Sequence, residues 1–286
     1  MDLKRNSFLA IIALLLTGSC LADDMDALSK ELVNPIGMKW KLNNYIEIAQ
    51  MSGAASKDKK SSTVWNIQPV MPIMLNNGSG FTLMNRPSLP VFLNKPMPMN
   101  NELNQSNNFD RVSGIGDLTL QSSLGKMPKT SWGSYMWGTG LSLTLPTASD
   151  DKLGSEKYAA GPSAMLVGFT ENMTFGLVAA HEWSFAGNEQ RQDINRSMLQ
   201  FIYYTQLGGG WQIGDNPQWS ADWDNVGGQK YTMPIGLGLF KTLKIADSPW
   251  RLGITPRYYL KSNGQWGNDW SINFTITAVI NSPISM

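Results

Sequence analysis

The chain of 286 residues carries 23 Lys and Arg against 22 Asp and Glu, a net charge of +1 that gives no reason to expect nucleic acid or another polyanion as a partner. Charged residues make up 16% of it, well below the roughly 25% of an ordinary soluble domain, while Trp (11) and Met (16) are plentiful and mean hydropathy is −0.21. Beyond the N-terminus no segment has the ~18 consecutive apolar residues of a membrane-spanning helix, and the single cysteine, Cys20, excludes a disulfide framework.

Lys4 and Arg5, the apolar run 8–16 and the small residues before Asp23 read as a secretory signal peptide over 1–22, cleaved after Ala22. Lipid attachment at Cys20, in "LTGSC", is the alternative. With cleavage at Ala22 the exported chain has no thiol, so thiol catalysis and thiolate metal sites are excluded. Residues 23–38 form a short periplasmic N-terminal segment, with a turn or two of helix at 24–33, and 281–286 a C-terminal tail.

Between them, 39–280 reads as strands. The segments are 39–51, 62–75, 80–92, 112–124, 134–147, 158–169, 173–186, 197–207, 211–223, 229–242, 250–261 and 269–280, each long enough to cross a bilayer as a tilted strand. The last, "DWSINFTITAVI", places Trp270, Ile272, Phe274 and Ile276 on one parity and Ser271, Asn273, Thr275 and Thr277 on the other, one greasy face and one wet face. Connections after odd-numbered segments are mostly long and polar ("SGAASKDKKS", 93–111, "ASDDKLGSEK", "GNEQRQDIN"). Those after even-numbered ones are mostly tight ("NNGSG", "TEN", "GGG"). That alternation fits a transmembrane up-and-down antiparallel β-barrel of about 12 strands, all-β, with outward loops and short periplasmic turns. Trp132, Trp211 and Trp250 lie at the turn ends and Trp183, Trp219, Trp223, Trp266 and Trp270 near the loop ends, as two interfacial girdles would. Tryptophans filling a sandwich core would favour strand middles instead. Nine prolines (Pro69, Pro72, Pro87, Pro90, Pro146, Pro162, Pro217, Pro234 and Pro256) run against the pattern, because each removes a ladder donor and a closed barrel has no edge to hide it.

The segments "NIQPVMPIML" (66–75), "GIGDLTLQSSL" (114–124), "GTGLSLTLPTASDDKLGSEKYAAGPSAMLVG" (138–168) and "HEWSFAGNEQRQDINRSMLQFIYYTQLGGGW" (181–211) together resemble the MetA-pathway phenol-degradation family of outer-membrane β-barrel transporters, from about Asn34 to Ile280. The resemblance implies an outer-membrane barrel that passes small molecules, aromatic ones among them. The chain departs from the barrel norm at its end, where "AVI" runs into "NSPISM" without a terminal aromatic residue.

Parity also sorts the charges. With Leu252, Ile254, Tyr258 and Leu260 outward, Arg251 and Arg257 face in; the same reasoning places Arg86, Asp117 and Glu182 inside. An Arg or Lys facing hydrocarbon at mid-depth would cost about 2–4 kcal/mol. These five are candidate pore-lining residues of a charged constriction. The competing view has them pairing across a narrow, filled lumen. An enzyme would need a nucleophile within reach of the only histidine, His181; Ser184, three residues along a strand, falls on the opposite face, so no catalytic residue is assigned. The loop acids of "DWDN" (222–225) and "SDDKLGSE" (149–156) lack EF-hand spacing, and "GIGDLTLQSSLG" precedes no helix, so neither a metal nor a cofactor is expected. The expectation is a non-enzymatic channel or transporter in the bacterial outer membrane, surrounded by its lipid and inserted by the barrel-assembly machinery. It would take up small molecules passively, aromatic or hydrophobic ones among them. A barrel with a structural or adhesive role and a plugged lumen is the alternative, and a soluble periplasmic β protein the third reading.

Overall fold

The computed structural model describes residues 22–33, 39–75, 79–98, 109–225, 229–245 and 248–280. The signal peptide up to Leu21, Cys20 and the tail 281–286 lie outside them. One helix, α1 (Ala22–Val33), precedes an all-β chain. Its strands are β1 (Trp40–Gly53), β2 (Ser56–Met74), β3 (Thr82–Pro98), β4 (Phe109–Ile115), β5 (Leu118–Lys126), β6 (Lys129–Thr130), β7 (Gly133–Leu145), β8 (Lys157–Phe169), β9 (Met173–Gly187), β10 (Asn195–Gly208), β11 (Trp211–Asp215), β12 (Gln218–Asp222), β13 (Tyr231–Gly236), β14 (Gly238–Ile245), β15 (Ser248–Lys261) and β16 (Gly267–Ile280). β4 with β5, β11 with β12 and β13 with β14 are each one stave interrupted by one or two residues. β1 pairs with β2 on one side and with β16 on the other, from Trp40↔Ile280 to Ser52↔Gly267, so twelve antiparallel staves close on themselves.

The alternation read from the last strand holds with its polarity reversed relative to a soluble protein. Ser271, Asn273, Thr275 and Thr277 are at most 5% exposed, whereas Trp270 and Phe274 are 44% and 39% exposed. Leu177, Trp183, Ile254, Tyr258 and Leu260 also stand on the outer face. A water-borne barrel would bury these side chains.

Two loop boundaries differ from the sequence reading. The stretch 52–61 is not a long loop: β1 and β2 are joined at Ala54 and Ala55, whose N–H groups both donate over 3.0 Å to the carbonyls of Gly264 and Gln265. β3 and β4 likewise extend into the 93–111 connection. Above the apolar band both faces of a strand are polar, so composition there no longer separates strand from loop.

At the turn end the interior is filled. Met84, Met136 and Val167 pack together, and α1 lies against β10, β11, β14 and β15 with Ser29 and Leu32 buried. Asp26 fastens the helix by accepting the N–H groups of Gly209 (3.2 Å) and Gly210 (2.6 Å). Those donors point at the helix because residues 208–210 all have positive φ (90°, 60° and 79°), a turn that glycine adopts without steric cost.

Candidate functional site: the lumen and its wall

Two connected cavities occupy the barrel from the loop end to mid-height. The outer vestibule, about 790 Å³, is lined by Lys95, Asp117, Lys152, Arg191, Asp193 and Arg196 among others. The lumen cavity, about 410 Å³, is lined chiefly by amides and hydroxyls, with Glu47, Arg86 and Arg257 among them. Asn66, Ser88, Thr119 and Arg196 belong to both walls.

Arg86 crosses the lumen. From β3 its Nη1 donates to Gln200 Oε1 on β10 at 2.7 Å, and its Nη2 to Gln121 Oε1 on β5. Between β3 and β10 the wall runs through β5, β7, β8 and β9, so Arg86 and Gln200 stand nearly opposite and the side chains form a bar across the pore. Both partners are neutral amides, and no ion pair to Arg86 occurs among the described residues. Glu47 is its counterpart in sign, accepting from the Tyr259 hydroxyl (2.7 Å) and from Asn273 Nδ2 (3.4 Å).

The other four predicted residues do not join Arg86 in a ring. Arg257 lines the same cavity but is held by Asp215: Nε donates to Oδ2 at 2.9 Å and Nη2 to Oδ1 at 2.6 Å, a bidentate pair with Asp215 side chain 1% exposed. Glu182 is fully buried against the wall, accepting from Ser142 Oγ (2.5 Å), Thr144 Oγ1 (2.9 Å) and Arg196 Nη2 (2.9 Å). Asp117 lies at the vestibule, where it accepts from the N–H and hydroxyl of Ser155 (2.7 and 2.6 Å) and from the N–H of Ala148 (3.3 Å), so it anchors the 146–156 loop. Arg251 sits near α1: its Nε donates to Gln212 Oε1 (2.8 Å) and its guanidinium lies 3.8 Å from the Phe240 ring centre. Gln212 in turn reaches the Ser29 carbonyl at 3.4 Å.

Sequence reasoning missed Glu47, Asp215, Arg196 and the amides Gln121 and Gln200. Glu47 was within reach of parity, since Leu42, Ile46 and Ile48 alternate with Asn43, Tyr45 and Glu47 on β1. Asp215 was not, because it sits where the stave breaks before Asn216 and Pro217.

In the 188–194 connection, Asp193 accepts from Lys157 Nζ (2.8 Å) and Ser184 Oγ (3.0 Å). The Lys157 hydrogen bond, helped by that of Ser184, holds the Asp193 carboxyl below its ordinary range. His181 takes a partner that the local spacing did not offer. It faces Ser197 across the β9–β10 ladder, with Nδ1 2.7 Å from Ser197 Oγ and its ring 4.0 Å from that of Trp183. Trp223 Nε1 donates to the same Oγ at 2.8 Å, and His181 Nε2 is buried without a partner. An indole N–H on the hydroxyl oxygen weakens it as a nucleophile, and no third group among the described residues hydrogen-bonds the imidazole to orient it.

Among solved structures, an outer membrane channel from Pseudomonas putida F1 is similar to this chain, with a TM-score of 0.60 and 14% identity over 85% of this chain and 95% of that one. The NanC porin follows with a TM-score of 0.46 at 9% identity, over 84% of this chain and 100% of that one. Outer membrane phospholipase A from Escherichia coli gives 0.44 at 11% identity, over 84% and 90%. The first of these establishes the fold as that of an outer-membrane-type β-barrel. No family model and no curated protein matches the chain, so the MetA-pathway resemblance rests on its sequence motifs.

Proposed function

We propose that this chain is an outer-membrane channel for passive uptake of small molecules, aromatic or weakly polar ones among them. The inverted polarity of the closed wall carries the reading: apolar side chains outside, hydroxyls and amides buried inside. Only a lipid surround makes that arrangement favourable, because acyl chains remove the apolar face from water while the polar face meets the lumen and its own hydrogen-bond partners. Arg86 and its amide partners form a bar across the lumen cavity below the vestibule. Hydrogen bonds to neutral amide oxygens leave its charge uncompensated, so it sets the charge preference together with Glu47.

The position of α1 favours a second reading, a barrel plugged at the turn end. Axial passage requires this helix to give way, and Asp26 is its fastening to the 208–210 turn. Liposome swelling with small neutral solutes separates the two. The channel reading predicts swelling by glycerol and by phenolic solutes of similar size, increased by Asp26→Ala. No swelling with either form would leave the plugged barrel.

A further inference from the structure

Among the described residues, four charged side chains line the lumen cavity: Glu47, Arg86, Arg196 and Arg257. The wall already neutralises two of them. Arg257 is paired with Asp215 at 2.6 Å and Arg196 with Glu182 at 2.9 Å, and both carboxylates are buried. Glu47 and Arg86 remain, one anion and one cation. No ion pair joins them to each other or to any other described residue.

The wall holds these two apart. Arg86 is stretched between Gln121 on β5 and Gln200 on β10, so neutral oxygens on two sides of the lumen set its position. Glu47 is drawn onto β15 and β16, where its Oε1 accepts both from the Tyr259 hydroxyl (2.7 Å) and from Asn273 Nδ2 (3.4 Å). Each keeps unspent capacity. A guanidinium has five N–H donors, and the two amides occupy only two of those on Arg86. Glu47 Oε2 has no donor among the described residues. A structural pair closes on itself, as Arg257 and Asp215 do with two hydrogen bonds. Glu47 and Arg86 stay open to the cavity instead. On β1–β3, the staves that carry the two charges, the remaining lining is Tyr45, Asn66, Gln68 and Ser88, all able to donate and accept. Met198 and Pro234 are the apolar side chains of the described lining.

We infer that the lumen cavity is a binding site for a small zwitterion, whose carboxylate takes free N–H groups of Arg86 and whose ammonium donates to Glu47 Oε2. The inference rests on the channel reading and names a solute class for it. A zwitterion supplies both counter-charges at once and leaves the hydrogen bonds to Gln121, Gln200, Tyr259 and Asn273 in place. A simple anion answers Arg86 alone, a simple cation Glu47 alone, and a neutral polyol neither. The planar guanidinium fork matches a carboxylate, which sets which end of the solute meets Arg86. The cavity, about 410 Å³, has room for a molecule of amino-acid size, and a few placed polar groups are enough to orient it.

The test follows binding separately from flux. Saturation-transfer NMR on the full chain in detergent micelles compares glycine, β-alanine and 4-aminobutyrate, whose two charges stand progressively farther apart, with propionate, propylammonium and glycerol. At least one zwitterion should bind saturably and about tenfold or more tighter than either singly charged compound, because each of those lacks one charge-assisted contact. Arg86→Gln should bring that zwitterion down to the level of propylammonium, and Glu47→Gln down to that of propionate. Zwitterions that bind the unsubstituted chain no tighter than propionate or propylammonium overturn the inference without any variant. A zwitterion preference that survives both substitutions also overturns it. Glycerol swelling of liposomes is measured on the same protein. Saturable zwitterion binding with no swelling would overturn the channel reading and keep the site, whereas swelling without zwitterion binding would do the reverse.

Discussion

The wall has two long interruptions, and each has an arginine beside it. Between β2 and β3 the ladder stops at Ile67↔Leu89 and resumes at Met71↔Asn85, leaving 68–70 opposite 86–88 with Pro69 facing Pro87. Between the β11–β12 and β13–β14 staves it is absent from 215–219 and 233–237. In the first, facing prolines account for the whole gap, and Arg86 turns away from it to span the lumen. In the second, the gap extends beyond its prolines, side-chain donors cap its carbonyls, and Arg257 stays to pair with Asp215. Loss of a proline donor makes a short gap in a closed barrel; only added side-chain chemistry maintains a long one. Several remaining prolines need no such device. Pro72, Pro90 and Pro256 stand opposite Met84, Asn66 and Ile272 within intact ladders, and Pro146 follows the end of β7. An antiparallel ladder requires the N–H of only every second residue on a given side.

The sharpest way to break this comparison is to remove one partner of the Arg257–Asp215 pair at the second gap. Arg257→Met leaves the buried Asp215 carboxylate uncompensated, which costs about 3–5 kcal/mol. The urea midpoint of the folded barrel in detergent should fall accordingly. Adding Asp215→Leu to Arg257→Met should recover most of the loss, since an apolar pair fills the space without a buried charge. A double variant no more stable than the single one would mean that the pair is not isolated in the wall.

At the first gap the consequence is on ions rather than on stability. Arg86→Gln removes a lumen cation that has no ion-pair partner among the described residues, so single-channel recordings should show selectivity shifted toward cations with conductance at least as high. Arg257→Gln should shift it less, because Asp215 already neutralises that guanidinium. Equal shifts would contradict the separation of roles.

Most of the wall was legible in the sequence, and most of the site was not. Period-two patterning located all twelve staves because a lipid-facing strand alternates over its full length, as β16 does from Trp270 to Ile276. Parity also put Arg86, Glu182, Arg251 and Arg257 on the inner side. It carries no information on which inner residues meet across the pore. Arg86 reaches Gln200, 114 positions away, only because the sheet closes. Asp117 has inward parity yet serves the 146–156 connection, because β4 ends at Ile115 and the chain turns toward that loop before β5 begins. Of the prolines, which run against a closed ladder, Pro69, Pro87, Pro217 and Pro234 mark its two long interruptions. His181 and Ser197 meet through strand register, which local spacing does not encode. Their geometry predicts no hydrolysis of acyl esters by the purified protein, with or without His181→Ala.

The smallest expected effect is at the vestibule. Asp193 has its carboxyl pKa lowered from the ordinary 3.8, chiefly by the Lys157 hydrogen bond. The contribution of this contact is therefore complete above the ordinary value and is lost as pH falls through the lowered one. Protease cleavage within 188–194 should stay slow at neutral pH and accelerate only in acid below that ordinary value, and Asp193→Asn should show the faster rate at neutral pH. A rise already near pH 6 would assign the order of that segment to another group.

Every function assigned here presupposes that the outer face meets acyl chains. The direct measurement is tryptophan quenching by brominated phospholipid in vesicles containing the full chain. Trp183 and Trp270, 50% and 44% exposed on the outer face, should be strongly quenched. Their fluorescence should stay quenched after urea washing of the vesicles, and replacing both with phenylalanine should remove a large share of the effect. Unquenched emission from a chain that remains monodisperse in detergent-free buffer would contradict the account.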